Sequence, residues 1–569
     1  MGDVVVEGNE IFGDGINVAS RIQALAEPNQ ILVTDIVHRN LVNKEGIQSL
    51  AVGEKHLKNV IDAVTVYSVS FNADLQFEEL GKLTPKKSRY PAWIFIGILF
   101  ITALFFVINK YFADSSKTIP DSPIRSIAVL PFDNLTDNDD QQNLLAGMHD
   151  NLITTLSQIK SLDVISRTST LSYKGSGKKS MQEMATELNV DAIIEASVLS
   201  IGDSVRINIQ LVKAFPKEKH LWAKVFDRPF ENILYLFDDV ASTVANEIDL
   251  TLHSSESNSA LRKINSDAYK AFMNGKIYVE NNPTPENVQK ALIYFNRAIE
   301  LDSSFAPAYA GVSWVWITLF QLNQASGEEA IPKIYSYNQK ALELDPNYPE
   351  AQYHKAINAF QSEWDWAKSE KAFRKALEVN PNHSFAHAHF AHILMIQRRW
   401  EEALAHAEIA SRLDPLSPHI QGLVGIVFLH HGDIDKAYEI SSRNNEIFGK
   451  LLIDENYAYL KGDLDRSLEL LLLQLGQDVV KRDSVRKVYQ ESGYSAAIEI
   501  VAHEQEKKGG PQGVVLYERL NRIDDAIRIL ELLYRQHNPN LPYFFTGFLK
   551  KLEKDVRYIQ LAKELKLKY

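Results

Sequence analysis

Apolar and polar positions first alternate along this chain in short β-rich runs, with one helix-like segment among them, over residues 1–72. A polar, basic stretch follows at 73–90, carrying Lys82, Lys86, Lys87 and Arg89. From Pro91 to Ile108 the chain then reads PAWIFIGILFITALFFVI, with no charge in it. About 19 residues at roughly 1.5 Å each span about 28 Å, the thickness of a bilayer's hydrocarbon core, which predicts a transmembrane helix over 91–109. Tyr90 and Trp93 at one end and Tyr111 at the other suit the interface, where amphipathic rings settle. Residues 110–124, including SSKTIPDSP, form a linker. Over 125–252 strands and helices alternate: SIAVLPF (Ser126–Phe132), a helix-periodic stretch at Leu144–Ile159, DVIS, a second amphipathic stretch at Met181–Leu188, then DAIIEASVLS and VRINIQLVKA. The last two read as a hairpin, so this region is an α/β domain with a mixed sheet.

From about Asp267 the pattern is helical and repetitive. AIELDSSFAPAYA, ALELDPNYPEAQY, ALEVNPNHSFAHA and ASRLDPLSPHIQG close successive helices. Pro346, Pro381 and Pro415 recur at intervals of 35 and 34 residues. That period and those phrases resemble the tetratricopeptide repeat, an all-α solenoid of stacked helical hairpins. Proline cannot continue a helix and pushes its predecessor out of the helical region, so each proline marks a turn between hairpins. Ala298, Ala341, Ala376 and Ala410 recur beside the turns, where helices approach closely. The interval from Asp302 to Asp345 is 43, which predicts an insertion around Leu322–Ile331. Repeats are expected over 266–569, degenerate after about 450, where DLDRSLELLLLQL and RIDDAIRILELLYRQ still read as second helices.

Composition narrows the chemistry. The chain has 569 residues, 45% hydrophobic and 24% charged, which indicates several folded domains. A net charge of −12 argues against a general nucleic-acid binder. With no cysteine there is no disulfide, thiolate metal site or cysteine nucleophile. Basic residues at 82–89 outweigh Lys110 and Lys117, which are offset by Asp114. The positive-inside bias therefore puts residues 1–90 in the cytoplasm and 112–569 outside it, in a single-pass cell-membrane protein.

The reaction-bearing signal lies near the start. VVVEGNEIFGDGINVASRIQALAEPNQILVTDIV and VGEKHLKNVIDAVTVYSV resemble the second half of a class III nucleotidyl cyclase catalytic domain, over residues 1–72. Phe12-Gly13-Asp14-Gly15 is a turn leading into a helix, from which Asn17 and Arg21, four residues apart, project on one face. In the resembled family the 3′-hydroxyl of ATP or GTP attacks its own α-phosphate and expels pyrophosphate. The resemblance implies that Asn17 orients the ribose and that Arg21 stabilises charge on the transition-state phosphate, the main service a protein gives phosphoryl transfer. It also assigns Lys58 to the triphosphate and Glu10 to the purine, where adenine-selective members often carry aspartate; ATP and GTP both stay open. The family works as a homodimer with Mg²⁺ held by two aspartates. Those aspartates precede the matched motif, so the ligands are expected in an intact parent and this chain alone is expected to be inactive.

The 125–252 region, through SIAVLPFDNL, GMHDNLITTLSQIKSLDVISRTST, ELNVDAIIEASVLSIGDSVRINIQLV and LWAKVFDRPFENIL, resembles the TolB N-terminal-like domain, which implies a periplasmic interaction module. Three other signals read as structural. GSGKKS at Gly175–Ser180 lacks the glycine spacing of a phosphate loop. His383, His387, His389 and His392 are helix-spaced, and His383 with His387 could chelate a metal, but they fall on an ordinary repeat helix. Trp314, Trp316, Tyr353, Trp364 and Trp366 read as packing between repeats, some of them lining a groove. The expected protein is multidomain: a partial α/β cyclase domain, one transmembrane helix, an α/β TolB-like domain and a tetratricopeptide-repeat solenoid that binds protein partners. The alternative is a non-enzymatic membrane-anchored scaffold.

Overall fold

The structure is a computed structural model. It describes residues 5–7, 10–12, 22, 26, 30–41, 47–55 and 64–70, then 124–567 apart from short stretches at 136–141, 175–178, 202–203, 230–232, 249–264, 281–283, 323, 474 and 476–477. Two compact units are present, Met1–Thr118 and Ile119–Tyr569.

In the first unit β1 (Val5–Glu7) pairs antiparallel with β2 (Glu10–Phe12). A three-stranded antiparallel sheet is formed by β3 (Ile31–Thr34), β4 (Gln48–Lys55) and β5 (Val64–Ser70), with β5 in the centre. Helix α1 (Asp35–Leu41) stacks His38 on Tyr67 at 3.7 Å between ring centroids. Its described core is small: Ile22 and Val66 are buried, whereas Leu50, Ile31 and Val52 are exposed.

The second unit opens with the α/β domain. Its strands are β6 (Ser126–Val129), β7 (Asp133–Asn134), β8 (Asp163–Val164), β9 (Ala192–Ile201), β10 (Ser204–Lys213) and β11 (Lys219–Pro229). The sheet order is β11-β10-β9-β6-β8, with β7 also on β9. β6 runs parallel to β8 and β9, while β9, β10 and β11 form an antiparallel meander, so the expected mixed sheet and hairpin are present. Along β10, Val205, Ile207, Ile209 and Leu211 are buried while Arg206 and Asn208 face out, the period-two pattern of a half-covered sheet. Helices α2 (Gln142–Leu156) and α5 (Ile233–Glu247) cover that face. Helix α3 (Arg167–Thr170) follows β8, and α4 (Met181–Leu188) covers the other face of β6 and β9. Ser180, the last residue of GSGKKS, caps α4 in a reciprocal bond with Glu183, so the described end of that motif serves a helix terminus.

The remainder is a stack of helical hairpins. They pair α6 (Ser266–Glu280) with α7 (Pro285–Leu301), α8 (Ala306–Gln321) with α9 (Gly327–Leu344), and α10 (Pro349–Gln361) with α11 (Trp366–Val379). Next come α12 (Ser384–Ile396) with α13 (Trp400–Leu413), α14 (Pro418–His431) with α15 (Ile434–Ser442), and α16 (Lys450–Leu460) with α17 (Leu464–Leu473). A long element, α18 (Val479–Lys507), breaks at Gly493, and α19 (Gly513–Arg519) with α20 (Ile523–Arg535) closes the series. Ala298, Ala341, Ala376 and Ala410 are all fully buried, and each carbonyl accepts the N–H that caps its helix. The extra length at 302–345 is shared by the helices as well as the connection: α8 and α9 have 16 and 18 residues against 13 and 14 for α10 and α11. The repeat phase is as expected, and the insertion read at Leu322–Ile331 becomes mostly longer helices.

The expected fold class needs one correction. The chain is mostly helical, yet no helix among the described residues is long and apolar enough to cross a membrane. The transmembrane helix at 91–109 is therefore withdrawn, and the assignment of 1–90 and 112–569 to opposite sides of a membrane falls with it. That reading rested on apolar composition over one helix length with aromatic and basic residues at its ends, and residues 91–109 lie outside the described residues.

Candidate functional site

Of the residues assigned by resemblance to cyclase chemistry, the structure describes Glu10 alone. Glu10 sits in β2, its backbone opposite Glu7, while Asn17, Arg21 and Lys58 lie outside the described residues. No group of three or more His, Asp or Glu side chains among the described residues is arranged to hold a metal ion.

The histidines of α12 are structural polar groups. His383 caps the helix, accepting from Ala386 N at 3.3 Å. His387 meets Pro381 O at 3.0 Å through Nε2 and His406 Nδ1 at 2.8 Å through Nδ1. A carbonyl can only accept, so Nε2 carries the proton and His406 donates to Nδ1. Burial lowers His383 to about 4 and His387 to about 3, which keeps both neutral. Each ring is thus engaged separately, and the chelating pair does not form.

The surface made by α10, α12 and α14, the first helices of three successive hairpins, is occupied by the chain itself. Residues 541–549, a 3₁₀ turn at Leu541–Phe545 and its continuation, lie across it. Tyr543 OH donates to His392 Nδ1 at 2.9 Å, because Nε2 of that ring donates to Leu423 O. Thr546 Oγ1 bonds His430 Nδ1 at 2.8 Å, and Arg398 reaches Phe545 O at 3.0 Å and Glu553 at 2.6 Å. Leu541, Phe545 and Leu549 are buried beneath these contacts. Trp364 stacks on His537 at 3.7 Å, and Trp366 Nε1 donates to Leu565 O, so those two tryptophans pack on the C-terminal segment instead of between neighbouring repeats. Trp314 beside His354 and Tyr353 against His383 and His389 pack between neighbouring repeats as expected, while Trp316 packs within its own hairpin beneath Lys333.

A second surface joins the repeats to the α/β domain. Asn382, in the turn before α12, accepts from Val164 N at 3.0 Å and donates to Ser157 O at 2.9 Å and Leu162 O at 2.8 Å. Ser169 Oγ donates to Asp414 Oδ1 at 2.6 Å and accepts from Leu416 N at 2.9 Å. Ser166 N donates to Leu413 O at 2.8 Å, and Arg412 pairs with Asp163 at 2.7 Å. Burial raises Asp414 to about 6, with the Ser169 and Ser166 hydroxyls offsetting part of the cost. Elsewhere in the junction Lys276 pairs with Asp150, and Asn151 with Tyr269. Burial alone would raise Asp150, but Lys276 and Arg167 outweigh it and hold the carboxyl below its ordinary value. Gly147 lets α2 approach α6: a Cβ there would meet Met273 Sδ at 1.8 Å. The arrangement clamps two domains into one body and presents no reactive constellation. Sequence reasoning missed both surfaces. For the C-terminal segment the available signal was the aromatic run Tyr543-Phe544-Phe545 beyond the last periodic helix; for Asn382 and Asp414 there was none.

A family model described as the HilA/YgeH-like transcriptional regulator, second domain, matches residues 123–225, the stretch read above as TolB-like. The chain is 30% identical over 363 residues to putative adenylate cyclase 3 of Rhizobium meliloti, covering 63% of this chain and 55% of that protein. It is 23% identical over 336 residues to the transcriptional regulator HilA of Salmonella typhimurium, covering 57% of each. The chain thus spans little more than half the length of these relatives. Among solved structures, the tetratricopeptide-repeat protein YrrB aligns at 20% identity over 36% of this chain and 91% of its own, with a TM-score of 0.23.

Proposed function

We propose that this chain is part of a signalling protein of the class III nucleotidyl cyclase type, in which Ile119–Tyr569 is a preassembled protein-binding module. The observation that carries the proposal is the coincidence of FGDGINVASR with a 30% identical relative named as a putative adenylate cyclase. Both alignments, to the cyclase and to the regulator, are much longer than the first unit, so most of each falls on Ile119–Tyr569. A module shared by proteins of two different names carries the chemistry of neither, and its hairpins and docked α/β domain suit recognition. The module corresponds to the region read as TolB-like together with the repeats.

In the intact parent, Asn17 orients the ribose of ATP or GTP, Arg21 neutralises charge on the α-phosphate in the transition state, and Lys58 and Glu10 bind the triphosphate and the purine. Mg²⁺ is held by carboxylates other than these four residues, and the enzyme acts as a homodimer. Arg21→Ala in the intact parent should lower kcat by roughly 10²–10³-fold with little change in KM, because the charge it meets develops only at the transition state. A raised KM with unchanged kcat rejects the role. The second reading, a non-enzymatic scaffold, is favoured by the regulator-type match at 123–225. Cyclic nucleotide formation by the intact parent, lost in Arg21→Ala, excludes it.

A further inference from the structure

We infer that the groove of α10, α12 and α14 is closed by a releasable strap, residues 541–549, which must lift before a partner presenting a similar aromatic, hydroxyl-bearing turn can enter. The inference deepens the protein-binding reading above and rests on it. Three features separate the strap from the repeats it crosses. First, apart from the Tyr558 hydroxyl on Phe544 O, its polar anchors are hydroxyl and carbonyl contacts to side chains more than 100 residues away, at His392, His430 and Arg398. Secondly, exposed residues flank it on both sides: Arg535 and Gln536 before it, and Lys550 beyond Gly547 with φ 94°. These allow the strap to bulge outward while the terminal helix α21 (Val556–Glu564) keeps Leu561 and Ala562 buried; Tyr558, which stacks on Phe545 at 4.5 Å and donates to Phe544 O at 2.6 Å, gives up those contacts. Thirdly, the groove stays viable when open: water can replace the hydroxyl on each imidazole Nδ1, whereas the apolar cost falls mainly on Leu541, Phe545 and Leu549 of the strap.

The occupant also defines the chemistry the groove accepts. His392 and His430 each offer a neutral ring nitrogen, held neutral because burial lowers them to about 4 and about 3. They are spaced for two hydroxyls flanking an aromatic pair, with Phe360 against Tyr543 and His430 against Phe548. A peptide turn carrying an aromatic hydroxyl and an aliphatic hydroxyl fits.

Hydrogen exchange on the full chain tests the strap without any partner. Amides of 541–549 should exchange at least 100-fold faster than those of α12 and α14. Tyr543→Phe combined with Thr546→Val should speed the strap a further tenfold or more, leaving those helices within twofold. Exchange of strap and helices together at one rate, or a parallel rise in the helices, overturns the inference. A fluorescent peptide of residues 538–551 added in trans should bind the double variant at least tenfold tighter than the wild-type chain; equal or absent binding to both also overturns it. Because neither measurement involves nucleotide or an outside partner, failure here leaves the cyclase assay to judge the broader reading separately.

Discussion

The turn at Asp345 and the turn at Asp414 occupy the same place two repeats apart but do different work. At the first, Asp345 accepts from Asn347 N two residues on, at 2.9 Å, and Asn347 faces solvent. Asn380 repeats that local bond to Asn382 N at 3.0 Å, yet Asn382 turns its own amide into the α/β domain. At Asp414 the local bond is gone: the Ser169 hydroxyl stands between the carboxylate and Leu416 N, donating to one and accepting from the other. A self-contained turn has thus been converted in two steps into a receptor for another domain. A turn side chain can bond its own backbone or reach across to another domain, so docking needs no new fold, only a side chain placed to make the second kind of bond.

The largest effect should come from what these turns share. Ala376 is fully buried and its carbonyl receives the capping N–H of Asn380. Ala376→Arg adds bulk and an unpaired charge at that spot and should cost about 4 kcal/mol or more, read as a steep fall in melting temperature. Wild-type melting would show that the repeat phase assigned here is wrong.

Asn382→Ala should come next. It removes three hydrogen bonds and strands Val164 N, Ser157 O and Leu162 O in a buried junction, a loss of about 3 kcal/mol. Chemical denaturation should register it, and protease access to the 249–264 connection should rise, because the α/β domain loses its hold on the array.

How much of this was legible follows from the same residues. Pro346, Pro381, Pro415 and the four alanines carry the solenoid because stacking imposes a period on every repeat. The insertion expected around Leu322–Ile331 is spread mostly into longer helices because a helix can absorb extra residues without any change of composition. Asn382 and Asp414 were opaque: the letters that dock a domain are the letters that close a turn. The strap was opaque because Tyr543 and Thr546 answer partners at His392 and His430 that no local pattern announces. The cyclase residues Asn17, Arg21 and Lys58 rest on motif alone, since they fall outside the described residues.

A pH series sharpens the contrast at Asp414. Its folded value of about 6 stands above the ordinary 3.8, so the docked state binds the proton more tightly than the undocked one. The contribution is therefore fully present below about 4 and is lost as pH rises through 6. Among the described residues the carboxylate's partners are the Ser166 and Ser169 hydroxyls and the Ser169 backbone N–H, and Arg412 is committed to Asp163. Buried histidines across the junction act in the opposite sense, so the measurement is a difference: the stability of wild type minus that of Asp414→Asn should rise by on the order of 2 kcal/mol between pH 7 and pH 4. A flat difference would mean that the carboxylate is not buried at the joint.

The smallest effects should fall on the turn that docks nothing. Asn347 is exposed and contributes only its backbone N–H to the Asp345 turn, which Asn347→Ala preserves. Glu401, on the outer face of α13, is exposed too, and Glu401→Gln alters a solvated charge. Both should stay within about half a kcal/mol of wild type in thermal melts. The comparison depends on this pair as much as on the damaging changes. If Asn347→Ala cost as much as Asn382→Ala, the loss at Asn382 would belong to turn formation in general, and the amide's three bonds to the α/β domain could not be what holds the two domains together.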